Sequence, residues 1–275
     1  MTPRGPLPQN PSPMVDRVRA HEPLPDTGIA GERFQLEGLL PAPVQVFVPA
    51  RAAAGARDLL VHCHGGARAV EYAVHVSARD WVAATVDLGA GSGAYERPFN
   101  RPGALAGLCA AIRARLETPV QRLTLSGFSA GYGAVRAALR DDPGAIDAVL
   151  LLDGLHASYV PDGTPLASGG RLRTEDLAPF VDFARLAAAG GKRFLVSHSA
   201  VFPGTYASTT ECADFLLAEL GLDRVPVLHW GPLGMQQVGA AGRGGFQVLA
   251  YAGNSAPDHM DHLHALFHLL HRLWL

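Results

Sequence analysis

Residues 123–140 read LTLSGFSAGYGAVRAALR. An apolar strand, Arg122–Leu125, leads in, and an Ala-rich helical run, Gly131–Arg140, leads out. Between them stands Gly127-Phe128-Ser129-Ala130-Gly131, a G-x-S-x-G. A serine on so sharp a strand-to-helix turn has its hydroxyl exposed above the sheet, and the flanking glycines let backbone pack on backbone. The helix N-terminus behind it favours negative charge developing nearby. Ser129 is therefore the candidate nucleophile.

Outward from this stretch, strands and helices alternate. Phe34–Leu40, Val44–Val48, Asp58–Cys63, Trp81–Leu88, Ile146–Leu152, Arg193–Ser197 and Phe246–Tyr251 read as strands. Ala69–Arg79, Ala104–Leu116, Glu175–Ala189, Glu211–Leu220 and a last segment from about Asp258 read as helices, with Asp258 as a reasonable N-cap. Strands that are apolar throughout are buried on both faces, and alternation with helices makes the sheet mainly parallel. The expected fold class is α/β, a three-layer αβα sandwich with a mostly parallel central sheet. Residues 26–275 read as one domain, and residues 1–25 as an extended Pro-rich arm. Two Gly/Pro-rich stretches, Gly154–Arg173 and Asp223–Gly245, read as long irregular loops near strand ends.

The bulk composition agrees. The 275 residues are 48% hydrophobic and 17% charged, with a formal net charge of -2. A globular chain of this length buries a large core. It carries no Lys/Arg run of the kind that binds nucleic acid. No apolar run nears the roughly 20 residues of a membrane span. Residues 1–13 lack the apolar centre of a secretory leader, so a cytoplasmic location is expected. Cys63, Cys109 and Cys212 are scattered, without metal-type spacing, and read as buried inert thiols.

Taken with a second motif, His62-Cys63-His64-Gly65-Gly66 at the end of an apolar strand, the serine motif resembles the α/β-hydrolase superfamily from about Phe34 to the C-terminus. The resemblance implies a serine hydrolase with no metal or organic cofactor. In such proteins the loop after the third strand gives one oxyanion-hole N–H and the residue after the nucleophile gives the other. Carried over, the donors are Gly66 (or Ala67) and Ala130. Side chains that would line the pocket are His64, Phe128, His156 and His198.

A serine hydroxyl needs a base, and the family order is Ser, acid, His. The base should follow the last strand, in AGNSAPDHMDHLHAL, where His259 is the first candidate and His262 the second. The acid departs from the commonest pattern. The loop after Arg193–Ser197 has no carboxylate before Glu211, and Ser208-x-x-Glu211 has the spacing of a capping box. The earlier strand ends Leu150-Leu151-Leu152-Asp153. A carboxylate so placed needs a partner, and imidazole suits it. Asp153 is the preferred acid and Glu211 the alternative. The substrate expected is a small-molecule or polymeric carboxylic ester. Peptidase, thioesterase and acyltransferase chemistry would use the same residues, and a non-catalytic binding protein on this fold is a reading of another class. Oligomeric state is not legible.

Overall fold

The computed structural model describes residues 21–25, 28–50 and 55–275. Most of the Pro-rich arm read from the sequence, residues 1–20, lies outside them. The fold class is as expected, a mostly parallel central sheet flanked by helices. The described residues divide into two compact units, one within 24–150 with 263–275, the other of 151–262 with 21–23.

In the first unit the elements are β1 (Gly31–Leu36), β2 (Val44–Pro49), β3 (Arg57–Cys63), α1 (Ala67–Val76), β4 (Trp81–Val86), α2 (Ser92–Phe99), α3 (Ala104–Arg113), β5 (Val120–Phe128) and α4 (Tyr132–Asp141). Strand order is β1-β2-β4-β3-β5. β3 is parallel to both β4 and β5, whereas β2 is antiparallel to β1 and β4. Every residue of β3 and β4 is buried, which is why these strands read as unbroken apolar runs. β3 also buries the polar residues Arg57, His62 and Asp58, of which Asp58 is 2% exposed. Its carboxylate takes Arg79 and Arg122, so the buried charge is paired. Both guanidinium groups also lie over the Trp274 ring, at 4.7 and 5.2 Å.

The second unit starts within β6 (Ala148–Leu152) and continues through β7 (Tyr159–Val160), β8 (Arg171–Leu172), α5 (Ala178–Ala188), β9 (Arg193–His198), α6 (Thr209–Glu219), β10 (Val225–Trp230), β11 (Gln236–Arg243), β12 (Phe246–Tyr251) and α7 (Ala256–His264). β9 and β12 are parallel, and β11 and β10 follow β12 as antiparallel neighbours. The last helix, α8 (Leu266–Leu273), belongs to the first unit and packs on α1. Among the described residues no helix is long and apolar enough to cross a membrane.

Three elements differ from the sequence reading. The stretch Asp223–Gly245 is a β-hairpin, β10 and β11, with a short turn. Five of the six β10 residues are exposed, so neither a buried run nor an alternation marks it, and Pro226 argues against a strand interior. The segment between β4 and α3, to which the sequence reading assigns no element, contains α2. Its sequence SGAYERPF is a poor helix former. Tertiary packing decides instead: Glu96 pairs with Arg136 and Arg140 of α4, and a Cβ on Gly133 would stand 2.3 Å from the Ser92 carbonyl oxygen. The expected final helix is two, α7 and α8, and α7 starts earlier than Asp258. Ser255 caps it: its N–H and Oγ–H both donate to Asp258 Oδ2, at 3.0 and 2.6 Å, so Asp258 is the partner and not the cap.

Candidate active site

The first unit carries the serine. β5 ends at Phe128, and Ser129 takes φ +46°, a region that a residue with a Cβ adopts only under constraint. The glycines impose that constraint. A Cβ on Gly131 would stand 2.0 Å from the Cys63 carbonyl oxygen, and one on Gly127 would stand 2.8 Å from the Gly131 carbonyl carbon. The chain can make this turn against β3 only with bare backbone at both positions. Ala130 and Gly131 complete a single 3-10 turn, and α4 follows directly.

The loop His64-Gly65-Gly66 leaves β3 beside this turn, since Cys63 pairs with Gly127 in the sheet. His64 and Gly65 both have positive φ, +72° and +107°. Gly66 is the N-cap of α1 and Ala67 its first residue, so both candidate donors on this loop sit at a helix N-terminus. His62 braces the loop from within the core. Its Nε2 lies 2.9 Å from the His64 carbonyl oxygen and its Nδ1 lies 3.0 Å from Ser126 Oγ. A carbonyl only accepts, so Nε2 carries the proton and Ser126 donates to Nδ1. Burial holds the His62 imidazole neutral, with its pKa pushed down to about 4. The tautomer that fixes the His64–Gly65 peptide is therefore the one present at neutral pH.

The His64 ring stacks on Phe128, with ring centres 5.8 Å apart. Its Nδ1 is 2.7 Å from Tyr95 Oη, and Tyr95 donates its own proton to Asp87 at 2.9 Å. His64 Nδ1 must then be the donor to Tyr95. Burial pushes the Tyr95 phenol well above its ordinary range, so the proton stays on oxygen. Phe128 is only 3% exposed and serves mainly as the platform for His64; little of it remains to line a pocket.

The second unit carries an acid–base pair. Asp153 follows β6 with φ +42° and is 3% exposed. Its Oδ2 lies 2.7 Å from His259 Nδ1, on α7. Ser199 donates twice to the same carboxylate, from Oγ at 2.6 Å and from its amide at 3.0 Å. Asp153's own amide donates to the Ser197 carbonyl. Burial opposes ionisation of this carboxyl, but the His262 and His259 imidazoles and the Ser199 donors outweigh it and hold the pKa far below the usual carboxylate range. An ionised Asp153 accepts from Nδ1–H of His259, which leaves the lone pair of the neutral ring on Nε2, the form a general base needs.

The other histidines and the alternative acid have different tasks. His262 is fully buried, with Nδ1 2.9 Å from Ser197 Oγ and its ring edge-on to Tyr251. Burial lowers its pKa to about 4, so it is a neutral core residue. Glu211 closes a reciprocal capping box with Ser208 at the start of α6 and also accepts from Tyr159 Oη. His198 is 3% exposed, its pKa is lowered chiefly by burial, and Nδ1 faces the Ser199 carbonyl oxygen; it is a core residue, and its burial is at odds with a pocket role. His156 donates from Nδ1 to the Ala207 carbonyl and packs edge-on against Tyr206. The three cysteines are buried and reduced, and burial pushes the Cys63 and Cys109 thiols up to about 12 and 11.

Among the described residues, His21, Asp258 and Asp261 bring one imidazole nitrogen and two carboxylates within 4.8 Å of one another. An ion pair, His21 Nδ1 to Asp261 Oδ2 at 2.8 Å, and the Ser255–Asp258 cap account for much of that geometry. Sequence reasoning missed His62, Tyr95, Asp87 and Ser199. Ser199 was findable: it stands in the loop after β9 where a carboxylate was sought, and a hydroxyl there is a donor for a carboxylate placed elsewhere.

No protein-family model matches the sequence. A search of curated proteins finds no match either. Solved structures are similar in fold at low identity. One named FAE shares 12% identity at a TM-score of 0.56, over 92% of this chain and 94% of that one. The feruloyl esterase module from Clostridium thermocellum, in complex with sinapinate, shares 9% at 0.54, over 90% and 93%. An acylaminoacyl peptidase from Pyrococcus horikoshii shares 13% at 0.47; 90% of this chain is covered, which spans only 42% of the peptidase.

Proposed function

We propose that this chain, which has the α/β-hydrolase fold, is a serine hydrolase that cleaves carboxylic esters through an acyl-enzyme. The observation that carries the proposal is the Asp153–His259 hydrogen bond of 2.7 Å, in a chain that also holds Ser129 at φ +46° on a G-x-S-x-G turn. Ser129 attacks the ester carbonyl, and its proton passes to Nε2 of His259. Asp153 fixes the imidazole tautomer and stabilises the imidazolium. The amides of Gly66 and Ala130 receive the oxyanion; each such donor contributes roughly 3–4 kcal/mol of barrier lowering. His259 then returns the proton to the leaving alkoxide, and water repeats the sequence to free the acid. The proposal requires the His259 imidazole to reach the Ser129 hydroxyl. No metal or organic cofactor enters any step.

An ester is the proposed substrate class, in keeping with the feruloyl esterase module of similar fold. The test is steady-state kinetics on p-nitrophenyl acetate and butyrate with wild type, Ser129→Ala and His259→Ala. Wild type should turn over, and each variant should fall by several orders of magnitude. Turnover by Ser129→Ala equal to wild type overturns the proposal.

A further inference from the structure

The first unit contains a cavity of about 700 Å³ whose wall includes Leu39, Leu40, Asp87, Pro98, Arg97 and Arg101. Its position follows from the topology. Asp87 comes directly after β4, as Ser129 comes directly after β5. β4 and β5 are both parallel to β3, which lies between them. Asp87, on the cavity wall, therefore stands at the same carboxyl edge of the sheet as the serine turn, two strand spacings away, or about 10 Å.

Its charges are unusual. Arg101 is pinned by two carbonyls, Nη2 to Leu39 at 2.8 Å and Nε to Pro98 at 3.2 Å. Carbonyls fix a guanidinium but do not neutralise it. Arg97, four residues earlier, is exposed and folds back so that Nη1 lies against the bare Cα of Gly93. Neither arginine has a carboxylate within ion-pair distance among the described residues. Elsewhere in this unit such pairing is common: Arg33, Arg79, Arg122, Arg136 and Arg140 each have one. The one carboxylate on the cavity wall, Asp87, is engaged by Tyr95 Oη and the Gly89 amide. With two guanidinium groups and one carboxylate on its wall, the cavity keeps a net positive charge, neither fork being ion-paired among the described residues, beside an apolar wall. Planar forks of this kind match a carboxylate.

We propose that this cavity is a subsite for a carboxylate at the far end of the substrate, with an aliphatic or aromatic spacer lying on Leu39, Leu40 and Pro98 between that carboxylate and the scissile ester. The subsite rests on the hydrolase reading; the carboxylate binding does not. Arg97 and Arg101 are assigned to binding, and neither touches the reacting atoms.

The experiment uses the full chain and three probes: suberate, succinate and octane-1,8-diol. Each is titrated calorimetrically and also tested as an inhibitor of p-nitrophenyl butyrate hydrolysis. Suberate, long enough to span from the serine to the cavity, should bind and inhibit competitively. The diol, of equal length but uncharged, should do so at least tenfold more weakly. Arg97→Gln, a change at an exposed side chain, should weaken suberate binding about tenfold, and higher salt should weaken it further. Equal affinity for suberate and the diol, no binding of suberate, or binding indifferent to Arg97→Gln overturns the proposal. Binding of suberate and succinate alike without competition overturns the subsite and leaves a mere anion site. If no ester is hydrolysed but suberate still binds through Arg97, the hydrolase reading has failed and the carboxylate site has not.

Discussion

His259 Nδ1 stands 2.7 Å from Asp153 Oδ2, across 106 positions of sequence. Ser199 holds the same carboxylate by its hydroxyl and its amide. A buried carboxylate with three donors is ionised and oriented. Its partner imidazole is thereby committed to one tautomer.

Asp153→Asn removes that commitment. The amide is isosteric, but it can present an N–H to the imidazole and favour the wrong tautomer. Turnover of p-nitrophenyl butyrate should fall by about 10⁴, as for other triads, while the fold persists. Near-normal turnover would return the acid assignment to Glu211, whose present partners are Ser208 and Tyr159.

His262→Ala separates the two histidines. This side chain is fully buried against Ser197. Its loss should cost about 2–4 kcal/mol of stability in urea titrations, by cavity formation. Activity per folded molecule should stay within about tenfold of wild type. A loss as deep as that of His259→Ala would identify His262 as the base.

The turn itself is tested by Gly131→Ala. The new methyl would stand 2.0 Å from the Cys63 carbonyl oxygen, a backbone atom that cannot swing aside. We expect destabilisation of about 3 kcal/mol or more and loss of activity. Wild-type melting and activity in this variant would mean that the turn is not held against β3.

Stability should depend on pH through His62 and His262. Burial depresses both folded-state pKa values to about 4. The unfolded chain, with ordinary imidazoles near 6.5, binds more protons below that pH, so stability is full above about 6.5 and falls as pH drops toward 4. Between pH 6.5 and 5 each group should cost about 2 kcal/mol. Urea titrations at pH 7 and pH 5 measure this, and equal unfolding free energies at the two would contradict it.

The serine turn was legible because several local signals coincide there: an apolar strand, two glycines and an Ala-rich helix. The contact of Asp153 with an imidazole was legible because a carboxylate after three leucines requires a partner. The hairpin β10–β11 was not, since an exposed edge strand with a proline lacks any hydrophobic period. The helix α2 was not, since it is held by tertiary contacts with α4, Glu96 on Arg136 and Ser92 on Gly133, and not by its own helix propensity. Bracing by His62 and Tyr95 is tertiary in kind: His62 meets Ser126 across 64 positions, Tyr95 meets Asp87 across 8 and His64 across 31, and no spacing rule connects them.

The most direct measurement is covalent. Wild-type protein is treated with a fluorophosphonate, digested, and the modified peptide is sequenced by mass spectrometry. The account predicts a single phosphonylated residue, Ser129, with labelling abolished in Ser129→Ala and strongly slowed in His259→Ala. No adduct under conditions that label a control hydrolase, or an adduct on another serine that survives Ser129→Ala, would contradict it.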